Sequence, residues 1–352
     1  MLQIDSMHIN NQWNTTSKRT NYIHNDNANK TRTQQQYQQH HQQQQSNPFP
    51  TPTIHQGTQT NIVLRFNQTG KTIETQALIN CTNPNYAYIE DNHRQKIRTN
   101  MGFVVFCIIV PRVFNEEGLV FEIPSHGNIQ TVAIKISYWN KINDYRRQGK
   151  AEDPLQEVGA MQYVGDNRHL LGCTDLISDD TFLYLVMPFI PQGDILSLVF
   201  DGQMGGLPEQ VARYIFRQLL SILHYMKHWG IVHRDISAEN IMLDDEGNCL
   251  LIDLGMTVRV PKGTEGQRRT HIASGGRCGK IPYMAPEVYA NSYAIDGYAV
   301  DLWSTAVVLF TMLTGTNEAS LLDDCRILYD KASMTDPIFR ELTSVDGRGL
   351  ER

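Results

Sequence analysis

Cysteine is scarce in this chain: six in 352 residues (Cys81, Cys107, Cys173, Cys249, Cys278, Cys325), far apart and with no CxxC pair. That spacing excludes a disulfide framework and a thiolate zinc site, and it predicts separate reduced thiols in an intracellular protein, cytoplasmic or nuclear. Long hydrophobic runs are missing too. The longest, Phe103 to Val110, falls far short of the ~20 residues a membrane helix needs, and residues 1–30 hold no continuous apolar signal core. No membrane contact is therefore expected. Nor does one sign of charge dominate: 31 Lys+Arg against 37 Asp+Glu leave a net charge of −6, which argues against a whole-chain nucleic-acid binder. No internal repeat is visible.

What is present changes along the chain. Residues 1 to about 60 are rich in Asn, Gln, Thr and His, with a glutamine-dominated run from Gln34 to Gln45. Such a stretch buries too little apolar surface to offset its ordering entropy, so residues 1–60 are expected to form a disordered tail. A solvated tail and a prion-like self-association segment are both compatible with it. Residues 61–84 read as a linker or an extra β-hairpin, with Ile62–Phe66 and Thr72–Ile79 flanking the turn Asn67-Gln68-Thr69-Gly70. Strand-like runs follow at Phe103–Val110, Leu119–Ile123, Thr131–Ile136 and Phe182–Met187.

Beyond Leu207 the period becomes helical. Pro208 and Glu209 open a segment with apolar groups at Val211, Ile215, Leu219, Ile222, Leu223 and Met226, which Gly230 closes. A second apolar helix is expected from Asp296 to Leu313, ended by Gly315. Strands first and helices later imply an α+β protein with a sheet-rich lobe and a helical lobe.

Four clusters carry chemistry: Val132-Ala133-Ile134-Lys135, then His233-Arg234-Asp235 with Asn240, then Asp253-Leu254-Gly255, then Ala285-Pro286-Glu287. In this order and spacing they resemble the eukaryotic protein kinase family, of Ser/Thr type. Ser237-Ala238-Glu239 is not the Ala-Ala-Arg or Arg-Ala-Ala usual in tyrosine kinases. The resemblance covers residues 85–352, with an N-lobe of about 85–190 and a C-lobe of about 191–352. It implies a bilobal fold: a small antiparallel sheet with one main helix, joined to a larger, mainly helical lobe. It implies transfer of the ATP γ-phosphoryl group to Ser/Thr hydroxyls of protein substrates with Mg²⁺, and an upstream activating kinase as a further partner. The alternative is a catalytically weak or inactive pseudokinase scaffold; a small-molecule phosphotransferase would not explain Ala285-Pro286-Glu287.

Phosphoryl transfer demands charge neutralisation and positioning more than covalent help. By the resemblance, Lys135 reaches the ATP phosphates and is held by Glu157, with Glu152 as the alternative acid. Asp235 orients the substrate hydroxyl or accepts its proton, while Asn240 and Asp253 hold magnesium. Met187 stands at the gatekeeper position, backbone groups near Phe189 and Ile190 meet adenine, Ala133 and Met242 sandwich it, and Asp194 binds ribose. Asp301 anchors the catalytic loop. Glu287 pairs with a late arginine. The Thr257, Thr264, Thr270 and Ser274 hydroxyls lie in a segment that matches an activation loop, with Arg234 as a cation for a loop phosphate.

The pattern departs from the family in three places. Of the phosphate-covering GxGxxGxV loop, only Gly102 and Val104 are retained, and Ile97 and Thr99 occupy the earlier glycine positions. Ser237 stands where a lysine is usual and Lys280 where a threonine is usual, which suggests a compensating swap that puts the Lys280 charge beside Asp235. Finally, 37 residues after Gly315 are too few for the family's remaining helices, so the C-lobe is expected to be truncated, with Asp336-Pro337-Ile338-Phe339-Arg340 read as a coincidental match to a late signature.

Overall fold

Runs of β-branched and aromatic residues put most of residues 55–138 into strands. The computed structural model describes residues 49–114, 118–123, 129–165, 167–201, 205–260, 271–273, 276–292 and 294–316. The glutamine run, the hydroxyls Thr264, Thr270 and Ser274, and Asp336–Arg340 lie outside the described residues.

Nine strands form the first lobe: β1 (His55–Phe66), β2 (Thr72–Asn80), β3 (Tyr86–Glu90), β4 (Ile97–Arg98), β5 (Gly102–Pro111), β6 (Val120–Ile123), β7 (Gln130–Tyr138), β8 (Asp175–Ser178) and β9 (Phe182–Pro188). Their order is β2-β3-β5-β7-β9-β8-β1-β6, and β2 also pairs β1. The sheet therefore closes on itself. β1 runs antiparallel to β2 from Gly57↔Asn80 to Arg65↔Thr72, and its first residues pair with β8 in parallel, His55↔Ile177 and Gln56↔Ser178. Two elements of the reading need correction here. β1 begins at His55, so the polar segment to residue 60 is not all tail: Gln56 to Asn61 is held through backbone hydrogen bonds that polar side chains do not preclude. The Ile62–Phe66 and Thr72–Ile79 runs do form a hairpin, but one built into the main sheet.

Side chains from β5, β7, β8 and β9 fill the inside of this ring, with Val105, Cys107, Ile134, Ile136, Ile177 and Tyr184 buried together. The opposite faces of β5 and β7 carry Val104, Phe106, Ala133 and Lys135 as cross-strand neighbours. At the start of β5 the two strands come so close that a Cβ on Gly102 would sit 1.9 Å from the Ile136 carbonyl oxygen, so only glycine fits.

Six helices are described: α1 (Trp139–Arg147), α2 (Pro154–Val164), α3 (Ile195–Asp201), α4 (Glu209–His228), α5 (Pro286–Tyr289) and α6 (Gly297–Thr314). Helix α2 opens on Asp153, which accepts from the Leu155 N–H at 2.9 Å, with Pro154 at the first helical position. α4 starts directly after Pro208 as the sequence predicts, burying Ala212, Ile215, Leu219, Ile222 and Met226 on one stripe. α6 ends on Gly315 in the left-handed conformation, φ 65°. By length and composition α6 matches a membrane span, with mean hydropathy 1.3. In this fold it packs along α4, and Val308 and Met312 are fully buried in the same cluster as Ile215 and Leu219.

Candidate active site

The loop after α4 places the catalytic candidates. The short strand Ile231–Val232 delivers His233, Arg234 and Asp235. The Asp301 carboxylate, on α6, accepts from the His233 N–H at 2.7 Å and from the Arg234 N–H at 2.8 Å. Two buried backbone donors are thereby satisfied by one side chain, as the anchoring role of Asp301 requires. Arg234 has φ 71° and Asp253 φ 61°, both non-glycine residues in the left-handed region. Such backbone is sustained only where its surroundings over-determine it, typically at functional sites.

His233 is buried, and burial lowers its pKa to about 4, so the ring is neutral. Its Nδ1 accepts from the Asp235 N–H at 3.2 Å, which leaves Nε2 to donate to the Ile252 carbonyl at 3.1 Å. The neutral imidazole thus ties the loop of Asp235 to the strand leading into Asp253. The reading assigned His233 no role, although its place in the motif was the available signal.

Lys135 projects from β7, 8% exposed, and donates to Glu157 Oε2 at 2.9 Å and to Asp253 Oδ1 at 3.2 Å. The structure therefore selects Glu157 over Glu152. Glu152 instead accepts from Asn100 Nδ2 at 2.9 Å, tying the turn before β5 to the start of α2. Burial works against the Lys135 charge, but Asp253 and then Glu157 outweigh it and hold its pKa above the ordinary value. Asp253 is half-buried, and although burial works against its charge, the Lys135 contact holds its carboxyl below the ordinary range. Burial pushes Glu157 up to about 7 against the pull of Lys135. One ammonium is thus shared between two carboxyl groups, of which Asp253 is the one held ionised.

Asp235 lies across a cavity of about 460 Å³ from this group. Its Oδ2 accepts from Asn240 Nδ2 at 3.1 Å, and its Oδ1 accepts from the Lys280 N–H at 3.1 Å. Burial, then the charge of Asp253, raise its pKa to about 6, while Lys280 and Asn240 hold it down. Asn240 Nδ2 also donates to the Asp235 carbonyl at 2.8 Å, so its amide oxygen is left for a cation. The cavity is lined by Lys135, Asp235, Asn240, Asp253 and Lys280, which the sequence singled out, and by Arg98, Asn100 and Glu239, which it did not. Arg98 and Asn100 stand at the variable positions between Ile97, Thr99 and Gly102, where the motif fixes no residue type, so the motif gave no signal for them.

This arrangement of Lys135, Glu157, Asp235, Asn240 and Asp253 matches what a nucleotide-dependent phosphotransferase needs, and the comparisons agree. The family model described as "Protein kinase domain" matches residues 116–336, more than half of the chain. The chain belongs to the protein kinase family. Among curated relatives it is 34% identical over 200 residues to CBL-interacting protein kinase 4 of Oryza sativa subsp. japonica, covering 56% of this chain and 42% of that one. It is 32% identical over 188 residues to CBL-interacting serine/threonine-protein kinase 16 of Arabidopsis thaliana, covering 52% and 38%. It is 39% identical over 135 residues to serine/threonine-protein kinase CHK1 of Mycosarcoma maydis, covering 38% and 19%. The chain thus spans about two fifths of the length of the first two of these relatives.

Within the kinase fold, other predicted residues sit differently from the phosphate-end group. Lys280 turns its ammonium to an ion pair with Glu239, and its backbone N–H donates to the Asp235 carboxylate. The expected charge swap is therefore shared with an acid that sequence reading did not weigh. Asp194 caps α3: its carboxylate accepts from the Ser197 N–H at 2.7 Å and from Ser197 Oγ at 3.0 Å, so it is already partnered. Met187, Phe189, Ile190, Met242, Gly102 and Val104 do not line the cavity of Asp235. Met187 lies opposite Ala133, Met242 bridges Asp194, and Phe189 stacks edge-on against Phe106 at 5.4 Å, beneath the Arg94 guanidinium at 4.6 Å, while Val104 pairs with Lys135 across β5 and β7. Thr257 is fully buried, so it is not a presented phosphorylation site. Glu287 has its pKa raised by burial, and among the described residues no arginine forms an ion pair with it.

Proposed function

We propose that this chain transfers the γ-phosphoryl group of ATP to Ser/Thr hydroxyls of protein substrates. The observation that carries the reading is the convergence of Asp235, Asn240, Asp253 and Lys135 on one cavity, with Lys135 held from behind by Glu157. The donor set fits Mg²⁺-ATP: the ionised Asp253 suits a divalent cation, and Asp253 with Asn240 supplies the one or two protein oxygens Mg²⁺ takes beside phosphate and water. When bound, the cation neutralises charge on the phosphate oxygens. Lys135 holds the phosphates, fixed in direction by Glu157. Ala133, Met187, Phe189, Ile190 and Met242 enclose the base, Val104 and Gly102 close over it, and Asp194 meets ribose by giving up part of its helix cap.

Asp235 orients the incoming hydroxyl and takes its proton as the new O–P bond forms and the bond from the γ-phosphorus to the ADP oxygen breaks. A carboxyl near 6 is ionised at neutral pH and poised for that transfer. Lys280, paired with Glu239, adds positive charge at the same wall. The intact ion pair and anchored catalytic loop favour turnover over the scaffold alternative. We place the protein inside the cell, cytoplasmic or nuclear, a reading its scattered thiols support. An upstream kinase acting on the Thr264–Ser274 segment belongs to the same proposal.

Radiolabelled phosphoryl transfer from Mg²⁺-ATP to a generic Ser/Thr peptide tests it. The unsubstituted chain is expected to transfer label and Asp235→Asn to lose at least about 10³-fold in kcat; binding without transfer would return the scaffold reading.

A further inference from the structure

Glycine in a helix interior weakens the helix relative to alanine, so a helical glycine needs a packing reason. Gly159 lies in the middle of α2, two residues after Glu157. A Cβ there would stand 2.5 Å from the Pro50 carbonyl oxygen and 3.0 Å from Phe49 Cβ. The segment leading into β1 therefore lies directly on the helix backbone. Two residues are about 200° around a helix, so Glu157 and Gly159 face opposite ways. The helix has Lys135 on one side and residues 49–50 on the other.

Both ends of this segment are fastened. Downstream, Pro52 is buried, and His55 and Gln56 enter the ladder with β8. Upstream, the Phe49 ring packs edge-on against Tyr163 in the last turn of α2, with centroids 5.8 Å apart. Tyr163 in turn meets Trp229 after α4 at 5.6 Å and lies under the Arg259 guanidinium at 4.2 Å, with Arg259 Nη2 donating to its hydroxyl at 2.9 Å. The contact chain runs from Phe49 through α2 to the second lobe and to the residues just after Asp253.

We propose that Phe49–Pro52 is a built-in strap that holds α2 against Lys135, with Phe49 and Gly159 as positioning residues for phosphoryl transfer. The proposal rests on the kinase reading for its consequence in turnover, but not for its geometry. Removing the Phe49 ring frees the back of α2, and a side chain at 159 lifts the strap from the helix; either loosens the Lys135–Glu157 contact, on which phosphate positioning depends.

The test uses full-length chains carrying Phe49→Ala, Phe49→Leu or Gly159→Val, with amide hydrogen exchange read peptide by peptide beside steady-state kinetics. Phe49→Ala and Gly159→Val are expected to speed exchange in Gln156–Val164 by about tenfold while α4 exchange stays unchanged. They are expected to lower kcat by about tenfold with less than a twofold change in the KM for ATP. Phe49→Leu keeps both close to the unsubstituted values. Unchanged exchange in α2 overturns the proposal, as does equal acceleration in α4, which would make the segment a general fold element. Faster α2 exchange with undiminished kcat overturns it too. If the unsubstituted chain transfers no phosphoryl group, the kinase reading fails on its own, and the α2 exchange pattern still decides the strap.

Discussion

A carboxylate placed for catalysis should cost the fold something, and Asp235 allows that cost to be measured. Its folded-state pKa is raised from the ordinary 3.8 to about 6, first by burial and then by Asp253. Between those values the folded protein holds a proton that the unfolded chain releases, so stability falls as pH rises through this window and the full penalty is present at neutral pH. The rise corresponds to about 3 kcal/mol. Asp235→Asn removes the penalty but weakens the bonds from Asn240 and the Lys280 N–H, returning about 1 kcal/mol. A net gain of about 2 kcal/mol at pH 7.5 raises Tm by about 4–8 °C in a domain of this size. Thermal melting of both chains in EDTA, from pH 4 to pH 8, reads it. The difference should be largest above pH 7 and close as pH falls from 6 to 4. A substituted chain that melts no higher at pH 7.5, or a gap independent of pH, refutes the reasoning.

Asp301→Ala leaves the His233 and Arg234 N–H groups buried without their acceptor, and is expected to cost about 3–5 kcal/mol in urea denaturation; a loss under 1 kcal/mol would show that another group can satisfy them. Lys280→Ala is expected to lower kcat about 100-fold through lost positive charge near Asp235; near-normal turnover would reduce Lys280 to a partner of Glu239.

Much of the fold was legible where local pattern and burial agree. Val105, Cys107, Ile134 and Ile136 alternate inward, and α4 and α6 carry helical periodicity bounded by Pro208 and Gly315. The phosphate-end group was legible because phosphoryl transfer needs fixed residue types at fixed spacings. The closure of the sheet was not, because the β1–β8 ladder involves only His55 and Gln56, and two polar residues carry no hydrophobic signal. The short strands β3 and β8 were missed because Tyr86–Glu90 and Asp175–Ser178 are short and carry charged ends, without the apolar run that announced the equally short β6. The Asp194 cap was readable from Ser197 three residues on, a local signature that the ribose assignment overrode. The Lys280–Glu239 pair depends on where two flexible side chains meet across a loop, and sequence spacing says nothing about that.

The seven strands that join end to end behave mechanically as a hoop. An open sheet can splay or twist one border strand at a time, and each border offers unpaired amides to a stranger. In a hoop, shear at any strand must be carried by all the rest. The pair β5 and β7, which carries Val104 and Lys135 as neighbours, is tied into that hoop on both sides and cannot peel away alone. If the chain binds ATP as proposed, admission and departure of the nucleotide are expected to move the whole first lobe about the chain between Pro188 and Asp194, as one stiff body.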